Sequence, residues 1–307
     1  MKDLSYFFYW DKIPAGLHEN FMWEFTENGA SFLTLPWQLL KQFHRKETSE
    51  KDFRMKMERC SLKIINAHGP YGSGYCINPS GENCRKENLA AQLECMSIAS
   101  SLGAAVYVLH LESGPYLDKP QSMDQLVRQS TGSAVRSLEI MLPHAEKLGL
   151  TLAVENCFSP QNTADQVISC ISRFNSPCLG CCFDSGHANL ITPGKVVSRY
   201  SSYLRSQVWR DHFVPDDSPL DKLAPHIVTC HLHDNDGYND LHDLPGTGTI
   251  RWDVLLRRLS ECPRLLSMQA EILMFQNRIS ICRLCKTFNA VMKIAGSKNK
   301  DQAELPL

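Results

Sequence analysis

The chain has 307 residues, 43% of them hydrophobic and 21% charged, which excludes extensive disorder. With 32 basic against 33 acidic residues, no global field draws in nucleic acid or an anionic membrane. The length suits one large core, since α/β barrels fill about 250 residues as one domain.

The N-terminus, MKDLSYFFYWDKIPAG, is apolar for only a few residues before Asp11 and Lys12. That is too short for a signal-peptide core, and no later stretch reaches the roughly 18 apolar residues of a membrane span, so a cytoplasmic protein is expected. Strands are expected at 4–10 (LSYFFYW), 30–35 (ASFLTL) and 62–71 (LKIINAHGPY). A helix-period stretch at 87–103 separates the third from a strand at 104–114 (AAVYVLHLESG), and a second, at 123–149, precedes a strand at 150–157 (LTLAVENC). Strands at 179–190 (LGCCFDSGHANL) and 226–236 (HIVTCHLHDND), a helix at 250–262 and a strand at 265–272 (LLSMQAEI) complete the series. Several helical stretches close on a glycine, as helix C-termini do. Eight alternating units with fully apolar strands imply a parallel sheet covered by helices, and eight is the number that closes into a (β/α)8 TIM barrel. The barrel is expected to occupy 1–295 as one domain, with the polar tail GSKNKDQAELPL (296–307) frayed.

Each of the last six strands ends in ionisable residues that a buried strand does not carry without cause. His68, His110 and Glu155 end the third, fourth and fifth; Asp184 and His187 follow LGCCF; His231 and His233 follow HIVTC, with Asp240 and His242 in the next loop; Glu271 follows LLSMQA. In a barrel these ends meet at one mouth, where active sites of such folds lie. A lone histidine at a strand end is more often a hydrogen-bonded core residue, Glu155 alone suits a buried salt bridge, and Asp184 suits a turn or helix cap. Asp234, Asp236 and Asn239 read as ordinary loop residues. The set as a whole argues for a metal-centred site, because carboxylates packed so closely raise one another's pKa unless a cation lets them stay ionised. Imidazole plus carboxylate without thiolate suits zinc, manganese, iron or cobalt better than magnesium alone.

Thirteen cysteines, an odd number irregularly spaced, do not suit a disulfide framework and fit a reducing compartment. The pairs Cys178/Cys181 and Cys282/Cys285 have C-x-x-C spacing and together could make a four-sulfur zinc site. One leads into a strand and the other lies in a helical pattern, so buried inert thiols are the plainer reading.

The motifs VENC, FDSGHA, HLHDND followed by DLHDLPGTGTIRW, and QAEI resemble the xylose isomerase-like TIM-barrel superfamily of sugar-phosphate isomerases and epimerases, which also includes the endonuclease IV type of DNA-repair nuclease. The likeness covers roughly residues 60 to 275. Resemblance to the isomerase and epimerase branch implies one divalent ion (manganese, zinc, cobalt or magnesium) held by Glu155, Asp184, a histidine of the HLH pair and Glu271. His231 and His233 face the same way on an extended strand, and alignment favours His231. The same resemblance implies a sugar or sugar phosphate substrate, with Glu155 and Glu271 as proton carriers through a metal-stabilised cis-enediolate. His187 would then hold a substrate hydroxyl, while His68, His110, His233, Asp240 and His242 would bind substrate or a second metal. Epimerases of the branch carry an arginine shortly after the strand-seven histidine; Asp236 and Tyr238 occupy that stretch here, which leaves isomerase, epimerase or a related enolising lyase open.

Resemblance to the endonuclease IV branch implies three zinc ions on His68, His110, Glu155, Asp184, His187, His231, Asp240, His242 and Glu271, and a phosphodiesterase cutting abasic-site DNA. Tyr71 and Tyr75 would be its aromatic wedges. Against it, His233 stands where that branch has Asn, Glu112 stands where a His-Pro-Gly turn belongs, the DNDGYND loop is acidic, and no Lys/Arg cluster in the mouth loops offers phosphate contacts. Nucleic acid is a partner only in this alternative; a homo-oligomer is left open.

Overall fold

The computed structural model describes residues 2–79, 81–111, 122–192, 206 and 208–296; Glu112 and residues 297–307 of the polar tail fall outside them. The strands are β1 (Asp3–Phe7), β2 (Phe32–Leu35), β3 (Lys63–His68), β4 (Val106–Leu109), β5 (Thr151–Glu155), β6 (Leu179–Asp184), β7 (Ile227–Leu232) and β8 (Ser267–Ala270). Each runs parallel to its chain neighbours, and β8 pairs with β1, closing the barrel. The helices are α1 (His18–Glu27), α2 (Trp37–His44), α3 (Glu50–Arg59), α4 (Glu82–Ser101), α5 (Met123–Leu148), α6 (Ala164–Ile171), α7 (Ser185–Leu190), α8 (Pro219–Leu223), α9 (Trp252–Ser260) and α10 (Ile281–Gly296). The expected (β/α)8 architecture is the observed one, and no helix among the described residues is long and apolar enough to cross a membrane.

Local chemistry sets the element ends. Ser122 caps α5 in a capping box with Gln125, and Gly149 ends the helix in the left-handed region at φ 70°. Helix α9 buries Trp252, Leu255, Leu256 and Leu259 at helical spacing and leaves Asp253, Arg257 and Arg258 outside. Burying each such apolar side chain stabilises the fold by roughly 1.5–3 kcal/mol.

Two expectations need correcting. The apolar run 179–190 is not one strand: Asp184 ends β6, and its side chain accepts from the His187 backbone N–H, starting α7. Nor are the strands apolar throughout. On the face that carries the strand-end groups, one pleat further into the barrel, lie Asn66 below His68, Thr229 below His231 and Gln269 below Glu271. Asn66 donates to Ser5 Oγ at 2.7 Å and accepts from Ser267 Oγ at 2.7 Å, while Gln269 donates to Thr229 Oγ1 at 3.1 Å and accepts from Thr34 Oγ1 at 3.2 Å. These neutral groups are buried yet tolerated because each finds its partner across the barrel. Beneath β4–β6 the interior is apolar instead, with Val106, Val108, Ala153 and Cys182 clustered beside Val228.

Candidate metal centre at the barrel mouth

The strand-end groups converge. Nδ1 of His231 lies 3.3 Å from Glu155 Oε1, 3.6 Å from Asp184 Oδ2 and 2.9 Å from Glu271 Oε2. One imidazole nitrogen is therefore ringed by three carboxylates from β5, β6 and the end of β8. All four residues are at least 93% buried, Glu271 being the most open at 7% exposure. The short contact to Glu271 is not aligned as a hydrogen bond, and both His231 ring nitrogens and Glu271 Oε2 are buried without a hydrogen-bond partner.

Two further clusters flank this junction. Glu155 Oε2 accepts from His110 Nε2 at 3.0 Å and lies 3.5 Å from His68 Nε2. On the other side Asp240 lies 3.6 Å from His187 Nε2 and 3.4 Å from His242 Nε2, and His187, His233, Asp240 and His242 bring ligand atoms within 4.8 Å of one another. His233 donates from Nε2 to both Asp184 oxygens at 3.0 and 3.1 Å, and its ring stacks on His242 with centroids 3.7 Å apart. Of the HLH pair it is thus His231 that sits at the junction and His233 that props Asp184. Every residue singled out at the strand ends is brought to this mouth.

The surrounding backbone explains the placement. Asn156 donates to the Asp184 carbonyl and accepts from the Asp184 N–H, locking the ends of β5 and β6 together. Gly186 is required where it stands, because a Cβ there would lie 1.9 Å from the His233 ring. Asp234, which reads from sequence as an ordinary loop residue, is fully buried. Its carboxylate accepts from Asn235 N, Gly246 N and Trp252 Nε1 at 2.8–2.9 Å and so organises the whole loop. That loop presents Asp240 and His242, the latter held at φ 45°, a strained conformation for a non-glycine residue of the kind that collects at functional sites. Asp236 does act as a local turn residue, accepting from the backbone of Tyr238 and Asn239.

Burial and mutual charge oppose each other throughout. Burial would depress the His231 pKa, but Cys182, Glu155 and Glu271 together raise it well above the ordinary value. Burial would lift Glu271, yet His231 and His242 pull it down to about 2. His242, against its own burial, is raised to about 9 by Asp240. Glu155, Asp184 and Asp240 are likewise held low by their imidazole neighbours despite burial. The imidazoles and carboxylates so shifted favour one another's charged forms, and a divalent ion can take the place of the protons. The partnerless atoms of His231 and Glu271, facing one another among carboxylates, fit such an ion.

A cavity of about 360 Å³ opens onto these groups, walled by His68, Tyr71, His110, Cys157, Phe158 and His242 among others, with no lysine or arginine among its described lining residues. Tyr71 stacks on His110 at 4.6 Å, whereas Tyr75 is buried against His44 and does not line the cavity. The two C-x-x-C pairs stand at the start of β6 and on α10: the Cys181 thiol donates to the Leu223 carbonyl, and Cys285 packs beside Tyr6 of β1, three strands away from β6. Cys157, by contrast, lines the cavity at the mouth; the inert-thiol reading concerned the C-x-x-C pairs and left it unaddressed.

Comparison with known proteins agrees with this architecture. The family described as Xylose isomerase-like TIM barrel matches residues 25–263. The uncharacterized protein y4fM of Sinorhizobium fredii is 26% identical over 167 residues, 54% of this chain and 46% of its own length, so the chain spans about half of that relative. Among solved structures, a D-tagatose 3-epimerase-like protein superposes with a TM-score of 0.70 at 19% identity, covering 96% of this chain and 98% of its own. The IolI protein with a bound zinc atom superposes with a TM-score of 0.67 at 17% identity, covering 98% of this chain and 100% of its own. At these identities the structural likeness establishes the fold.

Proposed function

This chain belongs to the xylose isomerase-like TIM barrel family, and on that basis we propose that it is a metal-dependent isomerase or epimerase of a sugar or sugar phosphate. The observation that carries the reading is the His231 nitrogen ringed by Glu155, Asp184 and Glu271, with buried atoms left without hydrogen bonds. Those four residues would hold the ion. When bound, it would supply Lewis-acid polarisation of a carbonyl and its neighbouring hydroxyl, easing loss of the intervening C–H proton.

The chain's own groups would do the rest. Glu155 is braced on one oxygen by His68 and His110 and on the other by His187 and His231, so its carboxylate is fixed before substrate arrives. Glu271 is held by His231 and by the His242 side. One of the two takes the proton and the other returns it, the sugar passing through an enediolate between them. His187 and Asp240 line the same cavity and would hold substrate hydroxyls. The D-tagatose 3-epimerase-like neighbour supports a ketose as the first substrate to try.

The test is turnover of a panel of ketoses, free and phosphorylated, in deuterated water with the metal-free and metal-restored protein. Deuterium should enter the product carbon only when metal is restored. Absence of exchange with every sugar, in protein shown to carry metal, defeats the reading.

A second reading is favoured by the two flanking clusters, His68/His110/Glu155 and His187/Asp240/His242, which offer places for further ions beside the first. It is an abasic-site phosphodiesterase with three zinc ions. Three zinc per chain and cleavage of an abasic duplex, with affinity falling steeply with salt, would establish it over the isomerase. The lack of a basic group among the described cavity residues weighs against it.

A further inference from the structure

Twelve of the thirteen cysteines play no part in the cavity wall described above; Cys157 lines it. It lies two residues beyond Glu155, where the chain leaves β5, and is 3% exposed. The turn that carries it is pinned: its N–H donates to the Asn162 carbonyl at 3.0 Å, and the Asn162 side chain accepts from the Leu111 N–H at 2.9 Å. Its sulfur lies 4.0 Å from His110 Nδ1, the ring edge opposite the one that meets Glu155. The Cys157 sulfur, a Glu155 oxygen and a His187 nitrogen all lie within 4.8 Å of one another, and all three residues are buried. An inert core thiol packs among hydrocarbon, as a small hydrophobe does. This one faces two imidazoles and a carboxylate.

We propose that Cys157 is a sulfur ligand of the mouth, giving a Glu155–Cys157–His187 site that takes thiophilic divalent ions such as zinc, cobalt(II) or cadmium in preference to magnesium. The inference rests on the metal-centre reading above and adds to it a ligand and a selectivity. Carboxylate and imidazole accept ions across the whole divalent series, whereas thiolate favours soft or borderline ones. The chemistry balances without redox: the S–H bond breaks, its proton passes to buffer, and the sulfur lone pair forms the bond to the ion. Asp240 stands on the same flank, its Oδ2 3.6 Å from His187 Nε2, while its Oδ1, 3.4 Å from His242 Nε2, is buried without a hydrogen-bond partner.

The test strips the full-length protein with a chelator and titrates it with cobalt(II), following sulfur-to-cobalt charge transfer in the near ultraviolet and bound cobalt by equilibrium dialysis. The wild type and a Cys282→Ser control should develop the band, and Cys157→Ser should lose it while still binding cobalt. Cadmium affinity should fall at least about tenfold in Cys157→Ser, the scale on which a metal site responds to loss of a supporting group, with magnesium affinity changed less than about twofold. Cobalt bound without the band, or an equal band in Cys157→Ser, overturns the sulfur ligand and leaves the metal centre standing. No bound cobalt in any form removes both. Zinc-edge X-ray absorption on the wild type needs no variant: a sulfur scatterer is expected, and a shell of nitrogen and oxygen alone overturns the proposal.

Discussion

The barrel interior carries two polar layers on the same strands, one pleat apart, and they obey opposite rules. In the lower one, Asn66, Thr229 and Gln269 are neutral and exchange hydrogen bonds with Ser5, Thr34 and Ser267. In the upper one, His68, His231 and Glu271 are ionisable, and the buried nitrogens of His231 and the Oε2 of Glu271 have no hydrogen-bond partner. A closed neutral network is self-sufficient and strengthens the fold; a charged one left open invites a guest that closes it. The layers therefore separate by their response to substitution: the lower should answer in stability, the upper in chemistry.

The largest expected effect lies in the upper layer. Glu271→Gln keeps the shape but removes a proton carrier and a charge, and turnover should fall by about 10²–10⁴-fold, the usual worth of a positioned acid or base. Its melting temperature should fall only modestly beside that loss of rate: the carboxylate, held low by His231 and His242, contributes to stability at neutral pH, and the amide gives that contribution up. Glu155→Gln should behave alike. Steady-state rates beside thermal melts check this, and an unchanged rate would take Glu271 out of the mechanism.

The next effect separates the metal-free mouth from the loaded one by pH. His242 has a folded pKa of about 9 against an ordinary 6.5, so its stabilisation is complete below 6.5 and disappears as pH rises through 9. Glu271, lowered to about 2 from 4.5, contributes above 4.5 and loses its contribution as pH falls toward 2. The metal-free protein should thus be most stable between these windows and should lose a few kcal/mol, in order of magnitude, between pH 6.5 and 9. An ion bound at the His187/Asp240/His242 cluster should remove that loss, since imidazole ligands bind it deprotonated. Melts of chelated and zinc-loaded protein across this range decide it: a flat metal-free curve would mean that His242 is not charged by its neighbours.

How much of this was legible follows from where the information resides. The upper layer was legible because ionisable groups at strand ends are expensive to bury, and a recurring expense at successive strands points to one place. The choice of His231 over His233 rested on alignment alone, since both point the same way along an extended strand; the ring positions put His231 at the junction. Asp234 and Cys157 were missed for a different reason. An aspartate in an acidic loop and a cysteine among thirteen have many ordinary explanations, and only the approach of Gly246, Trp252, His110 and His187 distinguishes them. The lower layer was missed because serine, threonine and asparagine scattered singly among apolar residues leave the run reading as a buried strand; the pairing partners lie on other strands, as Ser5 and Ser267 do for Asn66.

The smallest effect tests the lower layer on its own terms. Asn66→Ala should cost about 1–3 kcal/mol, because the hydrogen bonds to Ser5 and Ser267 are lost at a buried site, leaving only their contacts to Thr34 and Thr229. The rate should change by less than the stability does, since His68 above remains anchored by its own contact to the Gly69 carbonyl. Adding Ser267→Ala should cost less than the sum of the two single changes, because both single changes break the same Asn66–Ser267 hydrogen bond. A double-mutant cycle on thermal unfolding measures that coupling. Strict additivity, or a collapse of turnover in Asn66→Ala at unchanged stability, would mean that the two layers are one machine and that the division between scaffold and site lies elsewhere in the barrel.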